Sequence, residues 1–528
     1  MLKIAIYVCV PLMIGLIGFI TLLGRRWHLP VVKRLPVLAL YCVAVTFFSP
    51  TIVIYIALCS LVVPLFAKTR EEIVPIFVFA MLLLPSMGFT ANFGSLKLLP
   101  ITGFTTLGVG AAVWAIVKGR AGERRSYLAG LCICALFVVL MVANARATSL
   151  TNYLRVALDL CLALFVPFYV IRRCVKSAND IRLVIVALVA ITAGLSAVAI
   201  FEANASWPLY RAVYGHYGIE LGQGAAVKLR GGLLRSPGPF IEPTSFALWL
   251  ALGTGALVAS PWLFRSKFSY GLMIAFLLVG LFAPQSRGAW LGLIVFYATF
   301  QAVNGKSASL LKPALFAAAA GVLIYGTALA VPRVGSMIGL DTTGTVQRDY
   351  RQDLFSRGLE ESRNNLLVGT DLGRVKYALR DMIQGEGQVD FVNSYLYVLL
   401  VTGLLGLTAF GFILLAPLTA AFRLRTKATP EDRASISFVI AALGSIVVMI
   451  AFTSLGGRTI IAIVMLLGLI GSLLNARRSA MISPVTNGVA GQLPGTSDAM
   501  LIGGPPGGSN PAVAGRPGTL RSGTNIDA

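Results

Sequence analysis

The stretch IAIYVCVPLMIGLIGFITLL, residues 4–23, carries no charge and is followed directly by the basic segment GRRWHLPVVKR, residues 24–34. An apolar α-helix of about 20 residues is long enough to cross a bilayer core of about 30 Å. The stretch lacks the small-residue cleavage site of a secretory signal, so we interpret it as an uncleaved membrane anchor. Its basic flank predicts that the anchor starts outside the cytoplasm.

Runs of the same kind recur along the 528 residues, of which 57% are hydrophobic and only 12% charged. A soluble protein would have about a quarter of its residues charged, and a membrane β-barrel would show alternating apolar segments of about ten residues. The sequence therefore predicts an all-α, polytopic helical integral membrane protein. We expect about 13–15 transmembrane helices and two long periplasmic loops.

The formal net charge of +23 would suit a nucleic-acid partner if it covered one surface. Instead, Lys and Arg concentrate in alternate short loops, around residues 25–34, 118–125, 172–182, 265–267, 423–433 and 477–478. This alternation is the positive-inside pattern of membrane proteins, so the basic loops are predicted to face the cytoplasm. We expect no nucleic-acid partner.

The same pattern divides the chain into six regions. They are the N-terminal transmembrane helices (1–201), a periplasmic loop (202–243), central transmembrane helices (244–331), a large periplasmic loop (332–393), C-terminal transmembrane helices (394–478) and a tail (479–528). The tail is rich in Gly, Pro and Ser, which predicts a disordered cytoplasmic segment. Among the spans, 35–49 and 51–67 are separated only by Ser49-Pro50, and another is expected over 73–90.

Two arginines lie where predicted membrane helices start. Arg287 opens the run SRGAWLGLIVFY, and Arg235 lies in RSPGPFIEP, which leads into the run from Pro243. Either side chain could be an anchor that reaches the lipid headgroups, and Arg235 could pair with Glu242. Alternatively, each guanidinium is a planar fork suited to phosphate oxygens. Glu242 could then position a hydroxyl or accept its proton.

Four stretches resemble the bacterial O-antigen ligase and Wzy-type polysaccharide polymerase superfamily. They are RSPGPFIEPTSFA (235–247), SRGAWLGL (286–293), LLVGTDLG (366–373) and VNSYLYVLLVTGLLGL (392–407). Their order matches that family, and so does their placement at the outer ends of helices. The similarity covers residues 200–420 approximately, and the earlier spans agree only in hydropathy.

The resemblance implies a glycosyltransferase that acts on undecaprenyl-diphosphate-linked glycans at the periplasmic face of the bacterial inner membrane. It implies neither a metal nor a nucleotide sugar, so no cofactor is expected. Arg235 and Arg287 correspond by position to family arginines that hold the lipid diphosphate, and Arg211 and Asn393 are further candidate substrate-binding residues. The implied partners, besides the lipid-linked glycan and the bilayer, are a chain-length regulator and a repeat-unit flippase.

One position departs from the family pattern. Ligases typically carry a histidine, the proposed base, directly before the Asn of VNSYL, and this chain has Val392 there. A valine cannot transfer a proton, so we favour a polymerase over a ligase, with Glu242 or Asp390 as the catalytic base. A transporter or flippase of the same lipid-linked sugars is the second alternative, although such carriers tend to place polar residues at broken helices near the membrane midplane.

The alternation of basic loops makes a prediction about membrane orientation. Alkaline phosphatase, which is active only outside the cytoplasm, should be active when fused near Gly344 and inactive when fused after Arg478. Enzyme activity of the two fusions in cells is the measurement. The reverse pattern would contradict the predicted orientation, and with it the placement of the candidate site residues at the periplasmic face.

Overall fold

The computed structural model describes residues 1–489 apart from 28, 94–95, 119–126, 147, 220, 222–226, 231, 306–324, 328, 332–334, 336–341, 384–388, 390 and 427. Residues Met1–Ala480 form one compact unit. Eight helices of the described part are long and apolar enough to cross a membrane. The predicted class, an all-α polytopic membrane protein, is confirmed.

The first part of the chain forms helices joined by short connections. They are α1 (Leu2–Leu22), α2 (Pro30–Phe48), α3 (Ile52–Phe66), α4 (Arg70–Leu83), α5 (Gly103–Lys118), α6 (Tyr127–Ala145), α7 (Leu150–Leu160), α8 (Val166–Cys174) and α9 (Ala178–Ala205). A π-helical turn, Cys161–Phe165, joins α7 to α8. The largely buried α9 packs against α1, α4, α11 and α12, so it lies at the centre of the bundle.

The second part of the chain adds nine further helices in its described residues. They are α10 (Arg211–His216), α11 (Pro243–Val258), α12 (Lys267–Phe282), α13 (Arg287–Val303), α14 (Thr342–Ser362), α15 (Leu372–Ala378), α16 (Ser394–Thr426), α17 (Pro430–Met449) and α18 (Gly457–Val489). The predicted tail starts within the bounds of α18, and from residue 490 it lies outside the described residues.

The predicted break at Ser49-Pro50 is confirmed, because α2 ends at Phe48 and α3 begins at Ile52. The apolar run 311–331 also predicts a membrane span, but it lies mostly outside the described residues. The total of about 13–15 spans therefore stays a prediction. Besides the eight long helices, α3, α5, α11 and α12 are shorter apolar helices of the described part.

The expected span over 73–90 is wrong at its C-terminal end. α4 stops at Leu83, and the chain then forms an antiparallel hairpin of β1 (Gly88–Phe93) and β2 (Leu96–Thr102). Pro85 explains the stop, since the residue before a proline is disfavoured in the helical region. Gly88 explains the close pairing, because a Cβ there would overlap the carbonyl oxygen of Ile101.

The basic loops of the described part meet at one end of the bundle. Arg26, after α1, donates to the carbonyl oxygen of Trp262, before α12, at 3.2 Å. Arg70, at the start of α4, lies 3.9 Å from Asp180, at the start of α9. Loops that are far apart in sequence therefore share one face, as the positive-inside pattern requires of loops on one side of a membrane.

α16 is broken at Gly403, where φ is 67° and ψ is −167°. The segment Leu366–Thr370 fills the break with its backbone. The Thr370 N–H donates to the Leu400 carbonyl at 2.9 Å, and the Leu404 N–H donates to the Leu366 carbonyl at 2.8 Å. The stretch LLVGTDLG is thus a backbone clamp that satisfies the hydrogen bonds lost at the break, as a break in a membrane helix requires.

A small hydrophobic cluster holds α14 and α15 against the start of α16. Leu354 of α14, Val375 of α15 and Leu396 of α16 are all buried in it. The Tyr350 hydroxyl of α14 donates to the Met382 carbonyl at 3.0 Å. α14 is therefore fixed beside the first turns of α16.

Replacement of Gly403 by alanine should destabilise the protein. The positive φ disfavours any L side chain by about 1–2 kcal/mol, and a Cβ would overlap the carbonyl group of Leu367. Gly411→Ala is the matched control, because Gly411 lies in the same helix and a Cβ there would meet nothing within 4 Å. We expect a lower apparent melting temperature only for Gly403→Ala, measured on purified protein in detergent. Equal melting temperatures would contradict the clamp.

Candidate functional site

A cavity of about 600 Å³ opens at the end of the bundle opposite the basic loops. Three parts of the chain bring arginines to it: Arg230 and Arg235 before α11, Arg287 at the start of α13, and Arg348 and Arg351 on α14. The described residues that line the cavity include no Asp or Glu. The described part of the lining is therefore rich in guanidinium groups, which suit an anionic ligand.

Arg230 and Arg235 belong to a short hairpin of β3 (Leu229–Arg230) and β4 (Leu233–Leu234). This hairpin docks on the turn between α12 and α13. Arg230 Nη1 donates to the Gln285 carbonyl at 3.1 Å, and Arg235 Nε donates to the Pro284 carbonyl at 3.2 Å. Both guanidinium groups are thereby held against this turn.

Arg287 is the first residue of α13, at the positive end of the helix dipole. Two glycines of the same motif let this helix pack closely. A Cβ at Gly288 would lie 2.6 Å from Cβ of Phe452, and one at Gly292 would overlap the Met449 side chain. The motif SRGAWLGL thus combines an arginine for the cavity with the small-residue spacing that allows close contact between membrane helices.

The loop that follows Arg235 is held by Glu202, a fully buried residue of α9. One carboxylate oxygen of Glu202 accepts from the Ser236 hydroxyl at 2.6 Å and from the Gly238 N–H at 3.0 Å. The other accepts from the Leu209 N–H at 2.9 Å. A buried carboxyl group needs such partners, so Glu202 positions the segment SPG and, with it, Arg235.

Arg458, also buried, approaches the same loop from α18. Its guanidinium lies 4.1 Å from the centre of the Phe240 ring and donates to the carbonyl oxygens of Leu82 and Leu84. A desolvated cation over an aromatic face is a stabilising arrangement. Nearby, burial raises the pKa of the Tyr214 hydroxyl to about 12, although Arg458 acts in the opposite direction. Tyr214 is therefore a neutral phenol.

The cavity brings together three of the four residues predicted to bind substrate. Arg235, Arg287 and Asn393 all line it. Asn393 also has a structural task, since its Oδ1 accepts from the backbone N–H groups of Tyr395 and Leu396 at the start of α16. Its Nδ2 group is then the part of the side chain that can donate a hydrogen bond to a ligand.

Arg211 and the two predicted bases, Glu242 and Asp390, are not among the described residues that line the large cavity. Arg211 lines a separate cavity of about 30 Å³, which shares Arg235 with the large one. Glu242 is exposed at the N-cap of α11, and the described lining residues of the large cavity include Thr244 but not Glu242. Asp390 lies outside the described residues, two positions before Val392, which does line the cavity. The base assignment stays a prediction.

Sequence reasoning missed four residues that shape this site: Glu202, Arg230, Gln285 and Arg458. Glu202 follows a long apolar run, and a lone carboxylate at the end of such a run is a signal of function that could have been used. Arg458 after two glycines at the start of an apolar run is a similar signal. Nothing in the local sequence marks Arg230 or Gln285, whose partners are other loops.

No protein-family model matches the chain, and no curated protein matches it. The chemistry must therefore be inferred from the lining residues themselves. Within the described ranges, no group of three or more His, Cys, Asp or Glu side chains could hold a metal ion. The described lining of the cavity consists of guanidinium groups, a helix N-terminus and a few neutral amides, which are groups of the kind that bind phosphate oxygens and hydroxyls in proteins.

Replacement of Glu202 by glutamine should destabilise the loop that carries Arg235. A glutamine offers one acceptor oxygen where the carboxylate offers two, so at least one of the N–H groups of Leu209 and Gly238 loses its acceptor. That loss costs about 1–3 kcal/mol. We expect a lower apparent melting temperature for Glu202→Gln and no change for Asn204→Ala, an exposed position on the same helix. An unchanged Glu202→Gln variant would show that the loop is held by other contacts.

Proposed function

We propose that this chain is an inner-membrane polysaccharide polymerase that joins undecaprenyl-diphosphate-linked repeat units at the periplasmic face. The observation that carries the proposal is the convergence of motifs on one cavity. Arg235, Arg287 and Asn393 come from three stretches that are far apart in sequence and resemble one superfamily, and all three line the same space. Arginines that served only as membrane anchors would not be expected to line the same cavity.

The electrostatics of the cavity support a diphosphate ligand. Guanidinium groups bind phosphate oxygens in a bidentate manner, and α13 adds the positive end of its dipole at Ser286 and Arg287. The guanidinium charges and the helix dipole act in a partly enclosed site, where electrostatic interactions are stronger than in water. A lipid diphosphate at this position would have its reactive glycosyl bond next to the arginines.

The proposed reaction is a glycosyl transfer. A hydroxyl of the acceptor glycan forms the new bond to the anomeric carbon of the donor, and the bond to the diphosphate breaks with its electron pair. The arginines stabilise the charge that develops on the departing diphosphate. The hydroxyl proton passes to a base, for which Glu242 and Asp390 are the two candidates.

The lining of the cavity favours a polymerase over a ligase. Val392 lies at the cavity wall, where the ligase pattern has its histidine. The break in α16 does not favour a flippase, although broken helices are typical of carriers. Its backbone groups at Leu400 and Leu404 are already paired with Leu366–Thr370, whereas the arginines lie elsewhere, in the cavity.

Removal of either arginine should abolish polymer formation without preventing membrane insertion. Arg235→Ala and Arg287→Ala each remove a guanidinium from the diphosphate, and Arg287→Lys should recover only part of the activity because an ammonium lacks the planar fork. The measurement is polymer length from purified lipid-linked repeat units. Arg374→Ala is the control, since Arg374 is highly exposed, faces Asp371 and is not among the described cavity residues.

Full activity of either alanine variant would reduce that arginine to an anchor. If the wild-type protein makes no polymer from any lipid-linked repeat unit, the polymerase proposal itself is wrong. In that case, a deletion strain distinguishes a flippase from a ligase by where the repeat units accumulate. Loss of a flippase leaves them on the inner side of the membrane, and loss of a transferase leaves them on the outer side.

A further inference from the structure

Gln285, in the turn between α12 and α13, is a buried residue with two costly features. Its backbone has φ 51°, one of two positive values among the described non-glycine residues. The residue is only 7% exposed, and its side-chain Oε1 is buried. This oxygen accepts no hydrogen bond from any described residue. Gln285 also lines the arginine cavity.

Neither feature is explained by packing. Glycine adopts this φ without steric cost, whereas glutamine does not, and strained residues of this kind persist where the surroundings hold them and cluster at functional sites. Buried side-chain oxygens almost always accept a hydrogen bond, so an exception needs a reason. Arg230 and Arg235 donate to the backbone carbonyls of Gln285 and Pro284, and no described residue donates to Oε1.

The chemistry of Oε1 limits what can occupy the space in front of it. An amide oxygen only accepts hydrogen bonds, and so do ionised phosphate oxygens, so the two cannot bond to each other. A group that bonds to Oε1 is a donor, whereas the guanidinium group of Arg287, two residues further along the chain, favours an anion. A ligand that satisfies both has a hydroxyl close to a phosphate.

We propose that Gln285 binds a hydroxyl of the sugar attached directly to the diphosphate. This inference rests on the proposed function and adds the part of the substrate that is recognised. The position supports it, because the turn with Gln285 accepts hydrogen bonds from two arginines and is followed by a third, Arg287. A sugar bonded to a diphosphate held there lies next to the amide.

The test compares two lipids on purified protein in nanodiscs: undecaprenyl diphosphate and undecaprenyl diphosphate carrying one glucose. The quantity is the ratio of their dissociation constants, measured for the wild type and for Gln285→Leu and Gln285→Gly. Both variants remove the amide, but glycine relaxes the backbone and leucine does not. We expect affinity for the bare lipid to be retained and preference for the glycosylated lipid to fall about tenfold or more in both variants.

The control is Gln301→Leu, the same substitution at the far end of α13, where Gln301 donates to the Tyr297 hydroxyl. It should leave the ratio unchanged. An unchanged ratio in the Gln285 variants would overturn the inference, and so would an equal loss of affinity for both lipids. Either result would indicate that the Gln285 amide binds a buried water molecule instead of a sugar. A wild-type protein that binds neither lipid would contradict the proposed function itself.

Discussion

The buried carboxyl group of Glu202 is the constraint on which the rest of the site depends. Once removed from water, it must obtain its hydrogen bonds from the protein. It obtains them from Leu209, Ser236 and Gly238, a set that exists only when the chain turns back over the end of α9. Arg235 immediately precedes that turn. The hydrogen bonds that the buried Glu202 carboxyl group needs therefore determine where Arg235 lies.

The helices and part of the site could be predicted from the sequence because their signals are local. Apolar runs and basic loops are readable within about 20 residues, and Ser49-Pro50 separates α2 from α3 as expected. Arg235 and Arg287 stand out because charges at the start of apolar runs are costly. Both side chains line one cavity, and their role in binding substrate stays a prediction.

What could not be predicted depends on contacts between distant segments. Nothing near Gln285 indicates its burial or its backbone angle, since both follow from the docking of the β3–β4 hairpin on the turn. Arg458 is anchored by the end of α4, more than 370 residues earlier in the chain. The sequence does not predict the hairpin after α4, because an apolar run with two prolines also fits a kinked membrane helix.

The arginine cavity is proposed to bind a lipid-linked diphosphate. The most direct measurement is a cryo-electron microscopy structure of the protein in nanodiscs with an undecaprenyl-diphosphate-linked repeat unit. The account predicts density for the diphosphate between Arg230, Arg235 and Arg287, with the lipid chain leaving toward the bilayer. Density for the diphosphate at another place on the protein, with this cavity occupied only by water, would contradict it.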